Sequence, residues 1–374
     1  MNAFQLLELF ISLSLQATLL ALTCWALGRC TANDCTRARI WSTCQIALLS
    51  LFVLAISLPH VRLLPSPGTQ SPDQLADATL IGSRWGQIIV IFWAAGAAFS
   101  LLAMLRSAMK LRRLLQESPT SPTLMANLPV ALQQQLAGID LRITNHLQHP
   151  FCWQFHRPLI VLPRSYLCLS PQELSLVLRH EIAHLQSAHP LGLWLQRIVE
   201  TIYWYHPVVW WCGRQLSLSR ELVCDMAATQ TRDEIAQYLR VLLKVVEQAD
   251  EADPRVWGLG LLFGGDFGAL AQRARRLAER ASRPQSFPAS NGAAALVIAA
   301  CLLITTAWLP LNPLNSSRAL WSPCPAWTSS VLHDVGISVR DYEIYDRQLD
   351  WQDRLQDRID LPAATNSMQP ASGD

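Results

Sequence analysis

The sequence predicts a multi-span α-helical membrane protein carrying an inserted, mainly helical α+β cytoplasmic domain. Three observations lead there. Charge is scarce and missing in long blocks; a mixed-polarity stretch lies between the third and fourth blocks; and short strand-like runs in that stretch precede a capped helix holding His-Glu-x-x-His. Of 374 residues, 51% are hydrophobic and only 16% charged, where an average soluble domain carries about 25% charged residues. The net charge of +2 argues against direct nucleic-acid binding, which needs a strongly basic face.

The spans come first. No Asp, Glu, Lys or Arg occurs between Glu8 and Arg29, Arg39 and Arg62, Arg84 and Arg106, or Arg283 and Arg318. Each gap can hold the roughly 20 apolar residues of a spanning helix. The apolar segments run about 5–28, 41–59, 85–105 and 292–311. A cleaved leader is a poor reading of the first, because no Lys or Arg precedes Leu9 and Glu8 stands there instead. Basic clusters follow the first span (Arg29, Arg37, Arg39) and the third (Arg106, Lys110, Arg112, Arg113). Another precedes the fourth (Arg273, Arg275, Arg276, Arg280, Arg283). By the positive-inside rule these face the cytoplasm, leaving the amino terminus, the loop of about 60–84 and the carboxyl tail outside.

The domains expected are therefore 1–106 with three spans, 107–283 in the cytoplasm, 284–311 with the fourth span, and an outer tail of 312–374. Cys24, Cys44 and Cys301 fall in spans, and Cys152, Cys168, Cys212 and Cys224 in the cytoplasmic stretch. Only Cys324 lies in the tail, and no Cys-x-x-Cys pair exists. That leaves no intramolecular disulfide in the tail and no zinc knuckle.

Within 107–283, Ser118–Pro122 reads as a linker and Leu128–Leu136 as a short helix. Leu141–Thr144 and Pro158–Leu162 read as strands. Ser170-Pro171-Gln172-Glu173 is a capping box with proline at the first helical position. The helix it opens contains His180-Glu181-Ile182-Ala183-His184. Residues four apart share a helix face, so both imidazoles can reach one Zn2+ ion, and Glu181 beside them can take a proton from water activated by the metal. A third ligand is needed, and Glu221 on a later helix is the best candidate. Asp225, one turn on, can accept a hydrogen bond from a ligand imidazole and orient it. Taken alone, a Glu and an Asp four apart more often mark a solvated helix face. His189, His206 and Cys224 are rival ligands; His206 precedes Pro207 and suits capping or packing, and Cys224 suits the core.

Between the two helices, Pro190–Cys212 holds Trp194, Tyr203, Trp204, Tyr205, Trp210 and Trp211. Two readings stand side by side: a buried core helix pair, or a membrane-surface segment that is partly embedded. Its charge-free runs are too short to span.

The order of motifs resembles the membrane metallopeptidases typified by the BlaR/MecR β-lactam-sensing antirepressors. The resemblance rests on His149-Pro150-Phe151, Arg157–Pro163, Glu173-Leu174 with the HExxH helix, Tyr203–Pro207, Arg220-Glu221 with Cys224-Asp225, Tyr238-Leu239 and Arg273–Leu277. Three spans before the peptidase segment and one after also match. The resemblance implies a zincin-like domain with a gluzincin site: His180, His184 and Glu221 as zinc ligands and Glu181 as general base. It implies cleavage, on an outside signal, of a cytoplasmic repressor or of the protein itself. The tail departs from the family's pattern: the β-lactam sensors carry a penicillin-binding domain after the fourth span, whereas about 65 residues follow it here and no lysine occurs after Lys244, so direct β-lactam acylation is not expected. The lone Ser-x-x-Lys match, Ser107–Lys110, lies at the inner end of the third span.

The expectation is a zinc endopeptidase of the bacterial inner membrane. Its expected partners are the bilayer, a cytoplasmic protein substrate such as a repressor, and a second copy in a homodimer. A membrane quality-control protease and a non-catalytic zinc-binding receptor are the rivals. Val331–Asp360, with Trp351, Leu355 and Ile359 at helical spacing, reads as either a small docking element or a solvated tail.

Overall fold

The computed structural model describes residues 3–57, 72–120, 128–145, 147, 149–154, 157–250, 267–282, 291–305, 308 and 309. The helices are α1 (Ala3–Arg29), α2 (Asp34–Ser57), α3 (Pro72–Glu117), α4 (Val130–Gln135), α5 (Pro171–Gln186), α6 (His189–Ile202), α7 (Pro207–Ala228), α8 (Arg232–Asp250), α9 (Phe267–Ser282) and α10 (Asn291–Ile304). The strands are β1 (Asp140–Thr144), β2 (Phe151–Trp153) and β3 (Leu159–Pro163), with a 3₁₀ turn over Arg164–Cys168.

Among the described residues, Leu6–Arg29, Asp34–Ile56 and Leu80–Glu117 are helices long and apolar enough to cross a membrane. The third differs from the sequence reading. α3 runs without a break through part of the expected outer loop and past Arg106 to Glu117, so residues 107–117, expected at the start of the cytoplasmic domain, continue the helix of the third span. Its exposed Ile88, Ile91, Phe92, Phe99 and Leu102 suit acyl chains. α10, in the place of the fourth span, is described over only 14 residues. The expected helix near 351–359 and Cys324 lie outside the described residues.

The chain divides into two units. In the first (Met1–Gln16, Leu51–Phe92, Leu302–Asp374), Glu8, Ser12 and Gln16 make a buried polar row along α1. Trp308 Nε1 donates to Glu8 Oε1 at 2.8 Å, the Leu309 amide to Ser12 Oγ at 3.1 Å, and Gln16 Nε2 to the Thr305 carbonyl at 3.3 Å.

The second unit (Ala17–Ser50, Trp93–Cys301) contains the sheet and the helices around it. The sheet order is β1-β3-β2, with β1 parallel and β2 antiparallel to β3. β3, Leu159-Ile160-Val161-Leu162-Pro163, is buried throughout, as a central strand covered on both faces must be. β2 had no sequence signal: Phe151-Cys152-Trp153 is too short to show alternation. Leu174, Val177, Leu178, Ile182 and Leu185 of α5 recur at helical spacing and close a core with Leu141, Ile160 and Leu162 of the sheet. Leu176, on another side of α5, packs with Ile235 and Tyr238 of α8 and Leu277 of α9. Helix α5 is thus buried on most sides, which fixes the residues it carries.

Candidate metal centre

α5 starts where its capping box places it. The Glu173 amide donates to Ser170 Oγ at 3.3 Å and the Ser170 amide to Glu173 Oε2 at 3.0 Å, a closure of about 1 kcal/mol. Lys244 Nζ reaches Glu173 Oε1 at 2.6 Å, tying α8 to the same end. The helix stops at Ala188, whose φ of 52° is the one positive value on a non-glycine among the described residues. A left-handed residue is the usual way to end a helix, normally as glycine, and here it turns the chain so that His189 folds back over His184.

Two imidazole nitrogens and the Glu221 carboxylate converge between α5 and α7. His180 Nε2 and His184 Nε2 are 3.1 Å apart, Glu221 Oε2 is 3.5 Å from His180 Nε2, and Glu221 Oε1 is 3.4 Å from His184 Nε2. Donors at about 2.0–2.1 Å in a tetrahedron stand about 3.3 Å from one another, so the triangle has the dimensions of a metal site. Glu181 lies beside it, nearly buried. Cys152 of β2 donates its thiol proton to Glu181 Oε2 at 2.8 Å. Burial and the charge of Glu181 push that thiol well up, so it stays protonated as a donor.

Behind the triangle is a second layer. His180 Nδ1 is 3.0 Å from Asp225 Oδ1 and 3.1 Å from Tyr238 Oη, and Tyr238 Oη donates to Asp225 Oδ1 at 3.0 Å. Arg273 of α9 makes a fork to Asp225, Nε to Oδ2 at 2.8 Å and Nη2 to Oδ1 at 2.6 Å, and places Nη1 2.9 Å from Glu221 Oε2. Burial would raise the Glu221 carboxyl, but Arg273 and His184 hold it well below the usual carboxylate range. Burial likewise opposes charge on Asp225, and Arg273 overcomes it. For His180, burial opposes protonation, yet the hydrogen bonds to Asp225 and Glu221 raise it to about 10. A metal at Nε2 competes with that proton, so metal uptake releases it.

His184 faces a different neighbour. Its Nδ1 is 3.0 Å from His189 Nδ1, and Cys224 Sγ is 3.4 Å from the same His189 nitrogen. His184, His189 and Cys224 therefore form a second group of metal-ligand type sharing one residue with the first. Burial first, then the neighbouring His184, lowers His189 to about 3, so it is neutral and its Nδ1 can accept.

α7 reaches this position because α6 lets it approach. A Cβ on Gly213 would stand 2.5 Å from Glu200 Oε1. Glu200 accepts from Gln196 Nε2 at 2.9 Å and Arg197 Nη1 at 2.7 Å, while Arg220 Nη1 donates to Gln196 Oε1 at 3.1 Å.

The structure thus brings His180, Glu181, His184, Glu221 and Asp225 together. His206 is buried at the start of α7, 3.3 Å from Thr18 Oγ1, away from the triangle. Cys224 is buried as expected but lies next to His189. Residue spacing assigns Tyr238, Arg273 and Cys152 no part in the metal centre. Tyr238 and Arg273 come from α8 and α9, and only tertiary packing shows what they touch.

The chain matches the family described as BlaR1 peptidase M56 over residues 8–275. It is also 25% identical over 168 residues to the regulatory protein BlaR1 of Bacillus licheniformis, covering 41% of this chain and 26% of that relative. The matched stretch is therefore about a quarter of that relative's length.

Proposed function

The chain belongs to the BlaR1 peptidase M56 family, and from that premise we propose that it is a zinc-dependent, membrane-bound endopeptidase that transduces a signal by cutting a cytoplasmic protein, a repressor or the chain itself. The observation that carries the reading is the triangle of His180 Nε2, His184 Nε2 and Glu221, 3.1–3.5 Å on a side, with Glu181 adjoining it. His180, His184 and Glu221 would hold the zinc ion, leaving one position open as catalytic sites do. A zinc ion there supplies Lewis acidity, polarising a scissile carbonyl and making an attacking water more acidic.

The remaining work falls to the chain. Glu181 takes the proton of the attacking water and passes it to the leaving amine. The Cys152 thiol occupies Oε2 of Glu181, which leaves Oε1 for that water. Asp225 and Tyr238 orient the His180 ring through Nδ1, so that Nε2 is the free donor. Arg273 neutralises the two carboxylates that would otherwise lie close together uncompensated.

Glu181→Gln separates binding from chemistry. The variant is expected to retain zinc, read by metal analysis of the purified protein, and to lose cleavage of co-expressed cytoplasmic substrate. Cleavage at the wild-type rate overturns the assignment. Used as a trap, the same variant should retain a single repressor-like protein; a broad set of misfolded proteins would point to quality control.

A further inference from the structure

The turn between α6 and α7, residues 203–206, makes its contacts at the middle of three spans. Tyr203 Oη donates to the Leu48 carbonyl of α2 at 3.1 Å. Trp204 Nε1 donates to the Trp93 carbonyl of α3 at 3.1 Å, and Trp93 Nε1 returns a bond to the Ile202 carbonyl at 2.9 Å. His206 meets Thr18 of α1. Leu48 is nine residues beyond Arg39, Thr18 eleven before Arg29 and Trp93 thirteen before Arg106. At 1.5 Å per residue these positions are about 14, 16 and 20 Å from the basic residues that mark the cytoplasmic face, about halfway through a 30 Å hydrocarbon layer.

We propose that α6 and α7 form a re-entrant hairpin, inserted from the cytoplasmic side beside the three spans and in contact with acyl chains. The direction of insertion is fixed by a second rung: Trp211 of α7 stacks edge-on with Trp41 of α2, centroids 5.2 Å apart. Trp41 is seven residues nearer the cytoplasmic end than Leu48, so α7 descends along α2 from the turn.

The turn meets the demand that lipid makes on non-helical backbone, which must find its partners in protein. The Ile202 carbonyl has the Trp93 indole, the Tyr203 carbonyl accepts the His206 amide at 2.8 Å, and the Trp204 carbonyl accepts Trp210 Nε1 at 2.9 Å. Pro207 opens α7 where an amide donor would be orphaned. Glu200, close to the turn, is paired with Arg197 at 2.7 Å, as an ionisable group at membrane depth must be. Ile198 and Trp210 are exposed, offering lipid two apolar contacts.

The hairpin's arms set the depth of the metal centre. His189 is fourteen residues before Tyr203, and Glu221 fourteen beyond Pro207, about 21 Å on either arm. The triangle therefore lies at the cytoplasmic surface of the bilayer. Combined with the peptidase reading, on which this last step rests, that position favours a cleavage site presented at the membrane surface.

The test is photolabelling of the full-length protein in phospholipid vesicles, with benzoylphenylalanine placed at Ile198 or Trp210. Ile91 of α3 serves as the lipid-facing comparator and Leu167 of the 3₁₀ turn as the aqueous one. Phospholipid adducts, read by mass spectrometry, are expected at 198 or 210 and at 91, and not at 167. In the unsubstituted protein, a lipid-soluble diazirine is expected to label the peptide spanning 203–212. Adduct-free 198 and 210 with an unlabelled peptide overturns the hairpin whatever Glu181→Gln shows; loss of the peptidase reading leaves the labelling unchanged.

Discussion

At the residue scale, the two histidines proposed as zinc ligands are oriented by unlike partners. His180 has a carboxylate, Asp225, which the sequence suggests because it follows Glu221 by one helical turn. His184 has His189, and the reason is conformational: the left-handed Ala188 ends α5 one residue earlier and swings the next side chain back. Spacing alone could only rank His189 as a rival ligand, since the direction of that turn is not written in it. A metal held at Nε2 of His184 would leave the hydrogen on Nδ1, 3.0 Å from His189 Nδ1, which would accept it. Replacing His189 by leucine is therefore expected to weaken zinc retention by about 10–100-fold, the usual cost of losing such a partner. His189→Asn, which keeps an acceptor near the Nδ1 position, should recover most of it. Competition with a chelator and the visible spectrum of the cobalt-substituted protein measure both. Two zinc ions per wild-type chain, one of them lost in Cys224→Ala, would instead make His184, His189 and Cys224 a second metal site.

At the element scale, legibility followed locality. The cap, proline and HExxH of α5 are all within sixteen residues, and the helix begins where they predict. β2 is three residues long and is a strand only because β3 lies beside it. Arg273 reads as one of five clustered arginines before the fourth span, and nothing in that run marks it as the one that bridges Asp225 and Glu221. Glycines, too, acquire meaning only from the neighbour they admit. A Cβ on Gly96 of α3 would lie 2.0 Å from Trp204 Cε2, inside the indole itself, whereas one on Gly192 would meet Arg220 Nη2, at the end of a long side chain, at 2.7 Å. Gly96→Ala should therefore expel the Trp204 ring and destabilise the full-length protein by about 1–3 kcal/mol, seen as a lowered unfolding temperature in detergent. Gly192→Ala should cost less, because the guanidinium can shift. Equal losses would mean that the Trp93–Trp204 pair does not hold the hairpin.

At the scale of the whole molecule, the path of α10 bears on the side of the membrane on which the tail lies. α10 covers 14 described residues, about 21 Å against the roughly 30 Å of a hydrocarbon layer, so its length alone does not take the chain across. Its contacts extend the path. Asn291, at its start, accepts a hydrogen bond from Arg39 in the basic cluster before the second span. Trp308, beyond its end, donates to Glu8, which is 21 residues before Arg29, about 32 Å along α1. The positive-inside rule puts Arg39 on the cytoplasmic side, and the residues beyond α10 are held by Glu8 and Ser12, near the opposite end of α1 from Arg29. The tail from 312 onward is accordingly expected outside and the domain after α3 inside. Alkaline phosphatase fused after residue 311 should be active and green fluorescent protein dark, and fusions after residue 120 should give the reverse. Fluorescence from the fusion after 311 would place the tail in the cytoplasm, making α10 a helix that enters the membrane without crossing it and removing the outer segment through which a signal could act.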